Sequence, residues 1–292
     1  MTRDFRKGFF FVAVSAVTFG VAPMVAVFVY RGGCNTATLL FLRQTIACAI
    51  FLCFAGRRMI ETLRVHAKKV VPLALLCSVA TPGFLMASYL YISSGLATTL
   101  HFIYPMFVFL IEVAMRRARC AALKLLCYAA CTVGVFLLNG GGGVLDLRGA
   151  VTALASGVVY AIYIVRLEHS GVSELDPFAV AGVFFGIAAV SLLVWCLATN
   201  SFTFSFDLWL WALIVVYSIG IGIGGTVFFQ IGVRYIGGQR AALFSCLEPI
   251  VSVLCGAAFL RERFTAAALI GTVVIIVSIT AAAVIDNRAV KA

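Results

Sequence analysis

The chain reads as an all-α integral membrane protein, with ten transmembrane helices arranged as two inverted five-helix repeats. Three observations predict this. Of its 292 residues 63% are hydrophobic and 11% charged, with a mean hydropathy of +1.12, more apolar surface than a water-soluble chain of this length could hide. The apolar runs recur at about twenty residues, the length that crosses a bilayer. The third observation is an internal echo. Phe84, Tyr91, Ala97, Pro105, Leu110, Ala114, Arg117 and Arg119 fall, 144 residues later and without a gap, on Phe228, Tyr235, Ala241, Pro249, Leu254, Ala258, Arg261 and Arg263.

Hydropathy and breaks place the spans near 8–30, 34–56, 70–93, 95–115, 120–139, 149–168, 177–198, 208–234, 238–260 and 265–285. The first follows MTRDFRKG and continues to Tyr30 with no small-residue cleavage pattern, so it is expected to be a retained helix rather than a signal peptide. Its residues Gly8 to Val21 echo the sixth span's Gly149 to Ile162 at a shift of 141, with Ser15 on Ser156 and Phe19 on Tyr160. Between the fifth and sixth spans, Gly140 to Gly143 form a flexible joint. The expected units are therefore residues 1–140 and 149–292, joined by a glycine-rich connection at 141–148.

Because five is odd, copies of a five-helix unit must enter the membrane in opposite senses. Loop charge supports this orientation. With the N-terminus inside, seventeen Lys and Arg residues lie on the inner side and four outside, namely Arg31, Arg148, Arg261 and Arg263, while Arg43 is left within the second span. Both termini are thus expected in the cytoplasm of a bacterial inner membrane. The net charge of +11 belongs to these loops and argues for no nucleic-acid partner. Of ten cysteines, eight lie in apolar runs and no CxxC occurs, so neither a disulfide framework nor a metal site is expected.

The stretch that organises the chain is Gly237 to Arg263, GGQRAALFSCLEPIVSVLCGAAFLRER, which places Glu248 and Pro249 in mid-span. A carboxylate there is costly, and a proline opens the helix in a solvent that cannot satisfy the freed groups. This stretch, with Leu42-Arg43-Gln44 and Ala47 in the second span, resembles the EamA family of the drug/metabolite transporter superfamily. The resemblance covers nearly the whole chain. It implies a secondary transporter that holds a small metabolite between its halves and alternates access to the two sides. The family ranges over amino acids, nucleobases, drugs and other solutes. The first half departs from the pattern: its turn reads Arg117-Ala-Arg119 with no carboxylate matching Glu262, and Tyr104 stands where the second half has Glu248.

Candidate site residues follow from depth and from the prolines. Glu248 could exchange a proton during transport or hold a cationic part of a substrate; the alternative is that it bonds a neighbouring helix and fixes the break. His101 and Tyr104 precede Pro105 as Ser245 and Glu248 precede Pro249, and His101 could join the coupling or simply donate to an opened carbonyl. Arg43 could draw an anion, pair with a carboxylate or snorkel to headgroups. The resemblance puts Tyr89, Tyr160, Tyr163 and Phe19 on cavity-facing helices, suited to flat or apolar solutes. Gln230 is an isolated amide in a glycine-rich span. Pro23, Pro82, Pro105 and Pro249 are candidate hinges. Gly220 to Gly224 has the GxxxG spacing of close helix contact, and Glu112 is expected to pair with Arg116.

Membrane hydrolases and transferases need a catalytic cluster, and here the aspartates lie in loops or tails while the histidines are scattered at 66, 101 and 169. A carrier is therefore expected rather than an enzyme, with a membrane sensor as the other class. It would need no cofactor, would act on a small solute and protons within the lipid bilayer, and would be a monomer or weak homodimer.

Overall fold

Hydrocarbon offers a backbone no hydrogen-bond partners, so a chain of this composition must pair its own N–H and C=O groups. A computed structural model describes residues 3–117, 122–139, 146–261 and 265–289, with side chains as far as 138 and 285 in the sixth and last helices, and builds them from helices alone. The glycine joint, Arg119, Glu262, Arg263 and Lys291 lie outside the described residues.

Helix α1 (Arg3–Arg31) has Asp4 in its first turn and Arg31 in its last, each suited to the helix dipole. Gly33, at φ +93°, lets the chain turn into α2 (Thr36–Leu75), where the Asn35 side chain accepts from Thr38 N at 2.8 Å. A π-helical segment (Leu76–Ala80) carries α2 into α3 (Thr81–Ser88). Then come α4 (Ser94–His101), α5 (Tyr104–Ala114), α6 (Ala122–Asn139) and α7 (Leu147–His169), the last capped by Asp146. In the second half Asp176 and Pro177 start α8 (Pro177–Thr199). Helix α9 (Leu208–Ile219), a second π-helical segment (Gly220–Val227) and α10 (Phe228–Ile236) form one run, followed after Gly237 by α11 (Gly238–Phe244), α12 (Leu247–Phe259) and α13 (Ala266–Ala289).

By length and composition, eight helical runs among the described residues could cross a membrane, and Ala122–Leu138 is a shorter apolar helix. The sequence places a loop between residues 56 and 70, and the structure corrects this: Thr36–Ser88 is helical throughout save for a non-helical His66. The helix persists because its charges fall to one side. Met59, Thr62 and Val70 are buried while Arg58, Arg64, Lys68 and Lys69 face out. At about 1.5 Å per residue such a run far exceeds the bilayer's apolar thickness. The chain turns at His66, since Arg58 pairs with Asp176 on one side of it and Lys69 donates to the Ser170 carbonyl on the other.

The halves interlock through their first helices. Ser15 on α1 donates to the Gly225 carbonyl (2.8 Å), and Ser156 on α7 donates to the Thr81 carbonyl (3.0 Å). Gly8 packs on Tyr235 and Ile236, and Gly149 packs on Tyr91 and Ile92. The first members of these pairs differ by 141 and the second by 144, the shifts of the sequence echo. The π-helical segments start at Leu76 and Gly220, again 144 apart. The remaining long interfaces are also between halves. Helix α2 lies antiparallel to α8, with Phe51 near Gly182 and Cys48 near Gly186, and α6 lies against α13 at Gly134 and Gly271.

Glycine makes two of these contacts possible. A Cβ on Gly20 would fall 2.6 Å from the Glu248 carbonyl oxygen, and one on Gly157 would fall 2.8 Å from that of His101. Gly20→Val and Gly157→Val should each destabilise the fold by about 1–3 kcal/mol, read as a lower melting temperature of the purified protein. Gly56→Ala and Gly83→Ala, where nothing lies within 4 Å, should melt no lower than the parent.

Candidate functional site

The two prolines set the site. Pro105 and Pro249 supply no backbone N–H to the residues four before them, His101 and Ser245, and each helix opens one turn ahead of its proline, at residues 102–103 and 245–246. Tight turns repair most of the damage. Phe102 N donates to Thr98 O, Ile103 N to Leu100 O, and both Met106 N and Phe107 N to Ile103 O; in the second half Cys246 N donates to Leu243 O and Glu248 N to Ser245 O. The breaks therefore turn side chains inward without leaving a row of free amides.

What they turn inward is a polar and aromatic cluster shared by both halves. His101 Nδ1 lies 2.8 Å from Ser156 Oγ, whose own proton goes to the Thr81 carbonyl. A hydroxyl has one proton, so the ring must donate to Ser156 from Nδ1, which leaves the lone pair of the neutral imidazole on Nε2. The His101 ring centroid lies 5.5 Å from that of Tyr104 and 5.7 Å from that of Tyr160. Tyr104 meets Tyr160 edge-on at 4.8 Å, and Tyr160 stacks on Tyr163 at 5.5 Å and on Phe229 at 6.4 Å. The Glu248 carboxyl lies within electrostatic reach of the Tyr104 and Tyr160 hydroxyls, and Ser245 lies beside Tyr104.

These groups divide into lining and backing. Tyr104, Tyr163, Ser156 and Gln230 are fully packed. Cys77, His101, Tyr160 and Glu248 lie deep in the bundle yet keep part of their surface uncovered. Gln230 packs beside Tyr163, its Nε2 without a hydrogen-bond partner. A surface cleft of about 360 Å³ sits apart from this cluster, between Arg57, Glu61, Arg64 and their neighbours.

The other expected site residues stand apart from this cluster. Arg43 lies over the Tyr217 ring (5.9 Å), beside a separate apolar cluster of Val29, Leu39, Leu42, Leu210 and Ile214, with its Nε unpaired. Tyr89 is 42% exposed at the end of α3, near Thr98. Phe19 packs on Gly225, and Gly224 meets Thr18, so the GxxxG spacing serves contact within the chain. Pro23 lies inside α1, Pro82 in the first turn of α3, and Pro72 inside α2. Sequence reasoning gives no role to Ser156, Thr81, Cys77 or Phe229. The alignment of Ser15 with Ser156 is the signal that could have found the first of them.

Glu112 does not pair as expected. Arg117 Nη1 donates to His169 Nδ1 (2.6 Å), so His169 carries its proton on Nε2 and donates it to Glu112 Oε1 (2.7 Å). The left-handed backbone of Arg116 (φ 57°) brings Arg117 round to the imidazole. Beside them Glu168 accepts from Gly238 N at 2.7 Å, which joins the ends of α5 and α7 to the start of α11. Glu112, Glu168 and His169 could reach one metal ion, but both ring nitrogens of His169 are already engaged.

Comparison with known proteins returns one family. The profile of the EamA-like transporter family matches residues 6–140 and again 147–284. An uncharacterized transporter of Synechocystis is 26% identical over 209 residues, spanning 68% of this chain and 63% of that protein's length. The uncharacterized transporter YcbK of Bacillus subtilis is 24% identical over 287 residues, 92% of this chain and 90% of that one. A solved crystal structure at 17% identity has a TM-score of 0.77 over 96% of this chain and 98% of its own, which shows a shared fold.

Ser156→Ala removes a donor to Thr81 and the acceptor of a buried N–H, whereas Ser15→Ala removes a single hydrogen bond. The expected costs are about 1–3 and about 1 kcal/mol respectively. Ser156→Ala should therefore melt below Ser15→Ala.

Proposed function

Because this chain belongs to the EamA-like transporter family and is a multi-pass membrane transporter of the drug/metabolite type, we propose that it is a secondary active carrier working by alternating access. Its solute is a small metabolite, drawn from amino acids, nucleobases, drug-like or cofactor-like compounds. The observation that carries this reading is that the His101–Tyr104 break and the Ser245–Glu248 break, one from each half, meet in one polar and aromatic cluster with Tyr160; we take the space beside it as the solute cavity.

The reading includes ten crossings in two inverted units. Thr36–Ser88, divided at His66, supplies two crossings, and Ala122–Leu138 supplies the tenth. Inversion is supported by the antiparallel contact of α2 with α8, which are counterparts at position two of each unit, and of α6 with α13 at position five. The fifth-to-sixth connection joins the units, the membrane is the bacterial inner membrane, and loop charge favours cytoplasmic termini.

Glu248 couples the cycle to protons. A carboxyl at this depth can be carried across the membrane's electrical and chemical gradient only by changing its partner, a proton on one side and a solute group on the other. Uptake and counterflow of labelled solutes in proteoliposomes test this. Glu248→Gln should lower transport by about tenfold to a hundredfold, the worth of one charge-assisted contact, and flatten its pH dependence. A folded Glu248→Gln protein that transports like the parent at every pH would remove Glu248 from the mechanism.

A further inference from the structure

The proton inventory of the cavity points to one kind of solute. Each polar group around it can be followed to where its hydrogen goes. Ser156 donates to Thr81 O, so its oxygen receives the His101 Nδ1 proton. Ser245 donates to Ala241 O (3.0 Å), so toward the neighbouring Tyr104 hydroxyl it can act only as acceptor. The amides of Phe102, Ile103, Cys246 and Glu248 at the breaks are spent on the turns described above. What remains among the partly uncovered residues is the His101 Nε2 lone pair, the Glu248 carboxyl, the Tyr160 hydroxyl and the Cys77 thiol.

Among the described residues this inventory holds acceptors and no cation. Arg43, the basic side chain inside the second expected span, is turned onto Tyr217. The spare N–H of Gln230 is neutral: it can receive a carbonyl or hydroxyl, but it cannot balance a carboxylate or phosphate. The walls are the faces and edges of Tyr160, Tyr104 and Phe229. Such faces attract a cation as well as covering a flat apolar body.

We propose, resting on the central-cavity reading above, that the solute carries a primary or secondary ammonium head. Its N–H groups are shared between Glu248 and His101 Nε2, and its aromatic or apolar body lies along Tyr160 and Phe229. His101 is the residue that sets specificity among cations, because its lone pair needs an N–H to accept. Ser156 positions it by holding the proton on the opposite nitrogen. Solutes whose only charge is negative are excluded, since no cation among the described residues of the cluster balances them.

Thermal melting of the purified full-length protein with 2-phenylethylamine, its N,N,N-trimethyl analogue, 2-phenylethanol and 3-phenylpropanoate at matched concentrations tests this. A ligand that prefers the folded state raises the melting temperature. The amine should raise it most, the trimethyl analogue less because it has no N–H, and the alcohol and carboxylate not measurably. The amine's shift should vanish in Glu248→Gln, persist in part in Glu248→Asp, and in His101→Phe fall to that of the trimethyl analogue. A trimethyl analogue equal to the amine in the parent would overturn the role of His101. A carboxylate or alcohol shift as large as the amine's, if lost in Tyr160→Ala, overturns the ammonium class while leaving the cavity as the solute site. An amine shift unchanged in both Glu248→Gln and Tyr160→Ala overturns the cavity itself. If no probe shifts the parent the ammonium class falls, and proteoliposome uptake decides the carrier reading independently.

Discussion

Every feature of the site descends from one constraint: a backbone carbonyl opened inside a hydrocarbon layer has to be covered by protein. Pro105 and Pro249 create that need at His101 and Ser245. At Ser245 it is met by Glu248 N, and at His101 by bringing another helix close; glycine permits the closeness, Gly157 against the His101 carbonyl and, in the second half, Gly20 against that of Glu248. In each case the helix that arrives belongs to the opposite half. The breaks thus decide both where side chains turn inward and which helices must interlock, and a polar and aromatic cluster drawn from both halves is the consequence.

Interlocking constrains motion as well as position. Helix α1 is bonded into the second half through Ser15 and Gly225, and α7 into the first through Ser156 and Thr81. Neither half can rock without carrying the other's first helix along. The π-helical segments sit at these same bonds, at Leu76–Ala80 and Gly220–Val227, where looser backbone pairing makes a bend less costly. At the other end of α7, Glu112, His169, Arg117 and Glu168 tie α5, α7 and α11 together. Any separation of those helices has to part these polar contacts.

Much of this is legible in the chain. Composition and run length give the membrane class, and the 144-residue echo of proline, tyrosine and arginine points to the paired breaks. His101, Tyr104 and Glu248 can be named from their place before the prolines. The rest depends on contacts between distant residues. Nothing local to Ser156 says that it bonds Thr81, and the tautomer of His101 follows only once that bond is known. Glu112 has a cation one turn away in Arg116, yet it bonds His169, 57 residues on, because the backbone reverses at Arg116. The helical 57–69 stretch reads as a loop because its charge outweighs its one-sided pattern. Arg43 stands out for its charge, and its ring partner Tyr217 lies too far along the chain for spacing to reveal.

The opposed orientation of the two halves is the central claim, since parallel halves would not bring both breaks to one cavity. A short acceptor peptide for a cytosolic biotin ligase, inserted after Arg117 in one variant and after Arg261 in a second, reads that orientation in intact cells. The first insertion should carry biotin and the second none, its peptide being reached instead by a membrane-impermeant reagent from outside. Biotin on both would contradict the inverted pairing and the shared cavity with it.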